Sequence, residues 1–307
     1  MRQVVVASAK FAISAGLIWL ALGRIDTPSA YALLRAIPAG AVAAAIAVLA
    51  FQLLMGGVRL HRLLTLARGP IGLTSAVDTV FVGAFFSQTF VSFIGGDAMR
   101  VWRLVTARVP VSIAFKAILL DRVAGFVGLI VVIVFGLPLL FRIITATAMR
   151  FGVLAAVAIG LLGTVTFLLM DRLPVFLRRW RMFRVAGDVC ALARSISGRG
   201  SEIGYLVGVS VVIQVTNAGA IFLIASGLGV DAHFLDLLVL VPLVLLFAML
   251  PISIAGWGVR EGAMVVALGL VGVSAEHSVA ISVCFGLSLI LVGLPGGLIW
   301  LCVRSKN

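Results

Sequence analysis

Charge is scarce in this sequence of 307 residues: Asp, Glu, Lys and Arg together make up 11%, and only 11 side chains are acidic. A soluble domain averages about a quarter charged and about 45–50% apolar residues, whereas here 63% are hydrophobic and the mean hydropathy is +1.25. Such an excess cannot be hidden in one water-facing fold, so the chain lives in a membrane. A cytosolic enzyme, a secreted disulfide scaffold and a nucleic-acid-binding module are excluded. Cysteine is equally sparse: Cys190, Cys284 and Cys302 lack metal-ligand spacing, and their odd number leaves no complete disulfide framework. They read as apolar filler. His61, His233 and His277 are scattered, with no HExxH or other paired-ligand pattern. No GxxxxGK(S/T), no GxGxxG after a strand and no GxSxG occurs, so nothing points to ATP hydrolysis, dinucleotide chemistry or a serine nucleophile. No metal, no cofactor and no catalytic residue is expected.

What the chain does have is long apolar runs. Those at 4–22, 38–58, 111–140, 151–170, 203–229 and 279–303 are span-length. Ala21-Leu22-Gly23 has a faint likeness to a signal-peptidase site, but the run before it is long enough to span, so a retained helix is expected. Basic residues fall between the runs. Arg59, His61, Arg62 and Arg68 follow the second run on a short amphipathic segment and mark the cytoplasmic side. The loop 171–200 holds seven arginines against Asp171 and Asp188, the strongest topological marker in the chain. The formal charge of +13 therefore reports orientation against an anionic leaflet, not affinity for DNA or RNA.

Two stretches do not behave as ordinary spans. Residues 76–94 contain Asp78, Ser87, Gln88, Thr89 and Ser92 and run into Gly95-Gly96-Asp97. Residues 236–250 and 262–273 are each too short to cross a core of about 30 Å at 1.5 Å per residue. If 76–94 crossed fully, the basic loop would lie outside, against the positive-inside rule. The charges instead favour an all-α polytopic membrane protein with about six full transmembrane helices and two re-entrant helical hairpins entering from opposite faces. Both termini are then cytoplasmic, while Arg142 and Arg150 fall outside. The segment Ile94-Gly95-Gly96-Asp97-Ala98-Met99-Arg100 aligns with Ile254-Ala255-Gly256-Trp257-Gly258-Val259-Arg260. That match suggests one domain, 1–307, with half-repeats 1–150 and 151–307 related by inversion. Inverted repeats with broken helices are a recurring transporter plan, with the substrate at the interruptions. A polar cavity is expected between the hairpins, because freed backbone groups cannot face lipid.

Six ionisable residues lie at these interruptions: Asp97, Arg100, Asp121, Arg122, Arg260 and Glu261. A charge at mid-span costs about 2.5–3.5 kcal/mol on the insertion scale, so such groups face a cavity and pair. Neighbours on a helix point about 100° apart, so Asp121 and Arg122 each need a partner from another segment. Three acids and three bases make the set neutral. Alternatives compete at several positions. Asp97 also reads as a helix N-cap, Asp121 and Arg122 as a structural network, and Gly256 and Gly258 as packing glycines. Arg103 and Arg108 read as interfacial anchors, Lys116 as a snorkelling side chain, Trp257 as an interfacial anchor, and Gln214 with Asn217 as a helix-to-helix hydrogen bond.

Gly95-Gly96-Asp97-x-x-Arg100, Asp121-Arg122-x-x-Gly125, and Pro251 with Gly256-x-Gly258-x-Arg260-Glu261 resemble the motifs of the lysylphosphatidylglycerol synthase transmembrane region, the flippase-like family. The likeness covers roughly residues 5–300; it departs at Ala255-Gly256-Trp257-Gly258, where the family more often has paired glycines and an aliphatic residue. The resemblance implies lipid handling in a bacterial inner membrane. Full-length synthases add a soluble aminoacyl-transferase domain. This sequence ends four residues after Val303, so that activity is not expected of it. The leading expectation is a translocase for an anionic phospholipid, a hopanoid-type lipid or a polyprenyl-phosphate-linked lipid. Arg100, Arg122 and Arg260 would hold the headgroup, Asp97, Asp121 and Glu261 would poise them, and Gly95, Gly96, Gly256 and Gly258 would shape the hairpins. The alternatives are a membrane-embedded enzyme on a lipid-linked substrate, with Asp97 or Glu261 as base, and an assembly partner of a lipid-modifying enzyme.

Overall fold

A computed structural model describes residues 27–69, 71–89, 93–169, 187, 189–194, 196, 198–249 and 257–304. The described residues form helices joined by short turns: α1 (Thr27–Ala36), α2 (Ala39–Leu66), α3 (Leu73–Thr89), α4 (Phe93–Thr106), α5 (Val111–Ile143), α6 (Thr147–Leu168), α7 (Gly200–Gly227), α8 (Phe234–Ala248), α9 (Val259–Gly269) and α10 (Ala275–Arg304). In lipid every backbone N–H and C=O must be satisfied within the protein, and a helix does this inside one segment. Five helices (α2, α5, α6, α7 and α10) are long and apolar enough to cross a membrane. They correspond to five of the six expected spans; the run 4–22 lies outside the described residues. The chain is an all-α, multi-pass membrane protein.

The same order of helix lengths occurs twice. Helices α2, α3, α4 and α5 have 28, 17, 14 and 33 residues, and α7, α8, α9 and α10 have 28, 15, 11 and 30. The helix ends match as well. After α2, Arg68 takes φ 59° and the Gly69 N–H reaches back to the Leu64 carbonyl; after α7, Gly229 takes φ 71° and the Val230 N–H reaches back to Ala225. After α4, Arg108 has φ 66° with Val109 N–H on Leu104; after α9, Gly272 has φ 82° with Val273 N–H on Leu268. All four are Schellman-type ends, in which a left-handed residue turns the last amides back onto orphan carbonyls. At two of them an arginine takes a conformation that glycine adopts without strain. Arg108 is thus the turn residue between α4 and α5.

Packing makes the two runs antiparallel. Near the end of α2, Arg62 pairs with Glu202 in the first turn of α7, while at the other end Gly227 of α7 sits against Ala41 of α2. Each short hairpin lays its first helix on the closing helix of the other run. A Cβ on Gly296 of α10 would lie 2.0 Å from the Phe81 carbonyl of α3, and one on Gly136 of α5 would lie 2.6 Å from Val239 of α8. Two antiparallel runs with broken helices are the plan of an inverted repeat.

Several expectations are corrected. The segment after residue 58 is not a separate amphipathic piece: α2 continues to Leu66, because Leu60, Leu63 and Leu64 keep the apolar period and are buried. Gly95, Gly96 and Asp97 lie inside α4 rather than at its start, so Asp97 is no N-cap. The described part of the basic loop is not simply solvated: residues 189–194 are helical, Val189, Ala193 and Ile196 pack on Leu63, Leu120 and Leu206, and Cys190 is buried against the Phe167 carbonyl. Cys284 is also buried, but Cys302 is exposed. Arg150 donates from Nε to the Ile144 carbonyl and from Nη2 to that of Phe141, each at 2.6 Å. It caps the end of α5, where a cation meets the negative pole of the helix.

Candidate functional site

The first hairpin, α3 and α4, brings Asp97 and Arg100 beside the middle of α5. Asp121 of α5 is buried and accepts from two arginines: Nε of Arg59 at 2.7 Å and Nη1 of Arg100 at 3.3 Å. Arg122, one residue on, turns the other way and clamps Asp97, with Nε to Oδ2 and Nη2 to Oδ1 both at 2.9 Å. The pairing expected of Asp121 and Arg122 with motif residues of opposite sign is present. Nη1 of Arg100 also lies 3.9 Å from Asp97 Oδ1, joining Arg59, Asp121, Arg100, Asp97 and Arg122 into one chain of five charges. Bidentate, charge-assisted contacts of this kind are the strongest hydrogen bonds available to a buried guanidinium.

Arg59 was missed as a site residue. It reads as a topological marker from its charge alone, yet it is buried, bonded to Asp121, and donates from Nη1 to Ser210 Oγ of α7 at 2.9 Å. The signal that finds it is the leucine period continuing past it to Leu64. Arg103 is likewise no interfacial anchor: it is buried and holds Asp78 of α3 at 3.2 Å, tying the first hairpin together.

The second hairpin, α8 and α9, treats its arginine differently. Gly258 has φ 87°, a left-handed value that suits glycine, and from there α9 begins. Glu261 folds back so that Oε2 accepts the Gly258 N–H, while Oε1 accepts Nη2 of Arg260 at 2.9 Å and the Ser282 hydroxyl at 3.1 Å. Adjacent residues do pair here, because a carboxylate capping the first turn swings back past its neighbour. Arg260 also lies over the Trp257 ring at 4.7 Å and that of Phe285 at 5.9 Å. Trp257 is therefore a cation–π partner. Pro251 and Gly256 lie outside the described residues.

Glycines leave room for the guanidiniums. A Cβ on Gly83 would come within 2.2 Å of Nε of Arg100, one on Gly286 within 2.3 Å of Nη2 of Arg260, and one on Gly125 within 3.4 Å of Arg59. Gly96 seats α4 on α3, where a Cβ would lie 2.8 Å from the Gly83 carbonyl.

These side chains surround a cavity of about 320 Å³. Gln88 and Arg100 reach it from the first hairpin, Leu245, Met249 and Arg260 from the second, and Arg59, Asp121, Arg122 and Gly125 from α2 and α5. Among the described residues, Gln214 and Asn217 do not form the expected interhelical hydrogen bond. Both are buried and line the cavity, and Oε1 of Gln214 has no partner among the described residues. Four guanidiniums and one carboxylate, Asp121, face this space. Counting Asp97 and Glu261 behind them, four positive charges oppose three negative ones, so the site is not neutral as expected but carries one net positive charge. On its far face the second hairpin borders a separate apolar groove of about 670 Å³, lined by Leu243, Val244 and Phe247 of α8, Val266 of α9 and Val153 and Ile159 of α6.

A search of curated proteins finds no match. The family model described as Lysylphosphatidylglycerol synthase TM region matches residues 8–297, taking in α1 to α9, most of α10 and both hairpins described above. The chain belongs to the lysylphosphatidylglycerol synthase TM region family, and its function is lipid-related.

Proposed function

We propose that the protein is a lipid translocase, moving a lipid with an anionic headgroup between leaflets through the cavity between the two hairpins. The observation that carries the reading is the cluster of Arg59, Arg100, Arg122 and Arg260 around one cavity bordered by both hairpins. Guanidinium groups bind phosphate oxygens bidentately, and a buried cavity with surplus positive charge attracts an anion. The headgroup would sit among the arginines while its tails stay in the bilayer, with the apolar groove on the far face of the second hairpin as one resting place. Asp97, Asp121 and Glu261 would exchange arginine partners as the hairpins open alternately. The proposed role is transport without a chemical step. Substrates within this reading are anionic phospholipids, hopanoid-type lipids and polyprenyl-phosphate-linked lipids; the proposed setting is a bacterial inner membrane with both termini cytoplasmic. A lipid-modifying enzyme would be the natural partner, supplying or consuming the transported lipid.

The test is leaflet exchange of labelled anionic lipid in vesicles containing the purified protein. Wild-type protein is expected to accelerate exchange, and an Arg122→Ala/Arg260→Ala double variant to lose that acceleration. Equal rates for the two proteins would overturn the proposal.

A further inference from the structure

We infer that the protein holds a second lipid outside the central cavity, in the corner between the end of α2 and the starts of α3 and α7. Arg62, His61 and Tyr205 bind its phosphate there, and one tail runs along Val58, Gly208 and Val212. The inference does not rest on the transport reading.

A cavity of about 430 Å³ opens in that corner, lined by His61 and Arg62 of α2, Leu73 of α3, and Ser201, Glu202 and Tyr205 of α7. Its polar lining is rich in donors. Arg62 gives Nε and Nη2 to the two oxygens of Glu202, and its guanidinium has further N–H groups to donate. Nδ1 of His61 is buried and has no hydrogen-bond partner among the described residues. A buried polar atom of this kind is costly until a ligand or water completes it. The Ser201 and Tyr205 hydroxyls can donate as well. The Glu202 carboxylate is already occupied by Arg62, and Arg199 stands near it as a second base. Two arginines against one carboxylate leave the corner positive. Phosphate oxygens accept and carry the opposite charge, so they match this lining; an ammonium, which only donates, does not.

The position of the corner makes the phosphate that of a lipid. Helices α2 and α7 each have 28 residues, about 42 Å at 1.5 Å per residue against a hydrocarbon core of about 30 Å. Their ends therefore reach the headgroup layer, where tyrosine is enriched. From the corner two apolar rows run toward the membrane centre, Val58 and Leu54 on α2, and Gly208 and Val212 beyond Tyr205 on α7. Steps of three or four residues keep each row on one face of its helix. The rows lie side by side, because α2 and α7 are antiparallel and joined at Arg62–Glu202 and again at Arg59–Ser210. Leu54, Gly208 and Val212 are exposed, and a Cβ on Gly208 would meet nothing within 4 Å. The glycine thus leaves a notch close to the level of Val58 in which a tail can lie. A soluble phosphate would use only the corner; the apolar rows below it suit a chain attached to that phosphate.

The test is photolabelling of the protein in phosphatidylcholine vesicles with a trace of phosphatidic acid that carries a photoreactive group on one tail, the label being located by mass spectrometry. Ile159 and Leu162 of α6, exposed apolar residues remote from any arginine of the corner, give the level of labelling by bulk lipid. Label at Leu54 and at residues 205–212 is expected to exceed that level severalfold and to be competed by unlabelled phosphatidic acid; label no higher than on α6 would overturn the inference. Phosphatidylcholine with the same photoreactive tail should label the segment severalfold less, and equal labelling would overturn the role of charge. Glycerol 3-phosphate, the same headgroup without tails, should not compete; displacement by it would assign the corner to a soluble phosphate and overturn the lipid part. Arg62→Ala should need about fivefold more lipid for the same label. Gly208→Leu, which fills the notch and touches no charge, should bring the label down to the α6 level. Undiminished labelling in both variants would overturn the site as drawn. Label position is read apart from leaflet exchange, so loss of the transport reading and loss of this one are separate results.

Discussion

The two hairpins each present one arginine to the same cavity but hold it in opposite ways. Arg100 of α4 depends on other helices: its carboxylate Asp121 belongs to α5, and Asp121 is shared with Arg59 of α2, itself anchored to Ser210 of α7. Arg260 of α9 brings its own counterion in Glu261 and otherwise rests on α10, through Ser282 and Phe285, and on Trp257. At the first hairpin, ion pairs join four helices; at the second, they stay within one. Moving α4 away from α5 breaks the contacts of Arg100 with Asp121 and of Arg122 with Asp97, whereas α9 can move with its charge already neutralised. In a medium where an unpaired charge is expensive, the hairpin carrying its own counterion moves at lower cost. Of two hairpins that open alternately, the second is therefore expected to open at the lower cost and the first to need an exchange of ion-pair partners.

The matched pair Asp121→Asn and Glu261→Gln probes this contrast most strongly. Asp121→Asn leaves Arg59 and Arg100 buried beside a neutral amide, and removing one partner of a buried pair costs about 3–5 kcal/mol. Chemical unfolding in detergent should show a loss of that size, together with poor yield. Glu261→Gln keeps one oxygen for the Gly258 amide, turns toward Ser282 an NH2 from which its hydroxyl can accept, and leaves Arg260 on two aromatic rings, so its expected loss is smaller, about 1 kcal/mol. Comparable losses in both variants would remove the distinction between the hairpins.

Steric changes give a second, smaller contrast. In Gly83→Ala the new methyl meets Arg100 at Nε, Cγ and Cδ, in the middle of the side chain. The arginine must leave its partners, for an expected loss of about 1–3 kcal/mol. In Gly286→Ala the clash falls on Nη2, the far end of Arg260, with Trp257 also near, and a shift of the guanidinium over the ring relieves it. A smaller loss of stability is expected there. Smallest of all is Arg62→Ala. The Arg62 side chain is 43% exposed, and its pair with Glu202 lies at the end of α2. Exposed pairs are screened by salt and worth little, so no measurable change in the unfolding midpoint is expected in moderate salt, and a large drop would show that this pair, too, is part of the network.

Much of this arrangement was legible in the residues. Apolar runs of span length and the two short, polar-interrupted stretches identify the long helices and the hairpins, because lipid allows little else. The isolated charges at Asp121 and Arg122 announce partners elsewhere, since nothing in a helix lets those two neighbours satisfy each other. Arg59 was harder to read. Its position after an apolar run looks like a charge at the membrane edge, and only its buried contact with Asp121, 62 residues away, reveals it as part of the site. The pairing of Arg260 with Glu261 was hidden for the opposite reason: geometry in mid-helix argues against it, and a turn starting at Gly258 permits it. The Gln214 carboxamide gave no cue to its surroundings, because one polar residue on a span serves equally well to bond a neighbouring helix or to line a cavity.

The central claim is that lipid passes through the arginine-lined cavity between the hairpins. Gly125 borders that space without contributing charge, and its nearest neighbour is the Arg59 guanidinium. A Gly125→Phe variant fills part of the cavity and leaves every arginine and carboxylate in the chain. Its leaflet exchange of labelled phosphatidylglycerol, measured in vesicles with protein confirmed as folded by its unfolding midpoint, is predicted to fall to the rate of protein-free vesicles. Exchange at the wild-type rate in that folded variant would contradict the account.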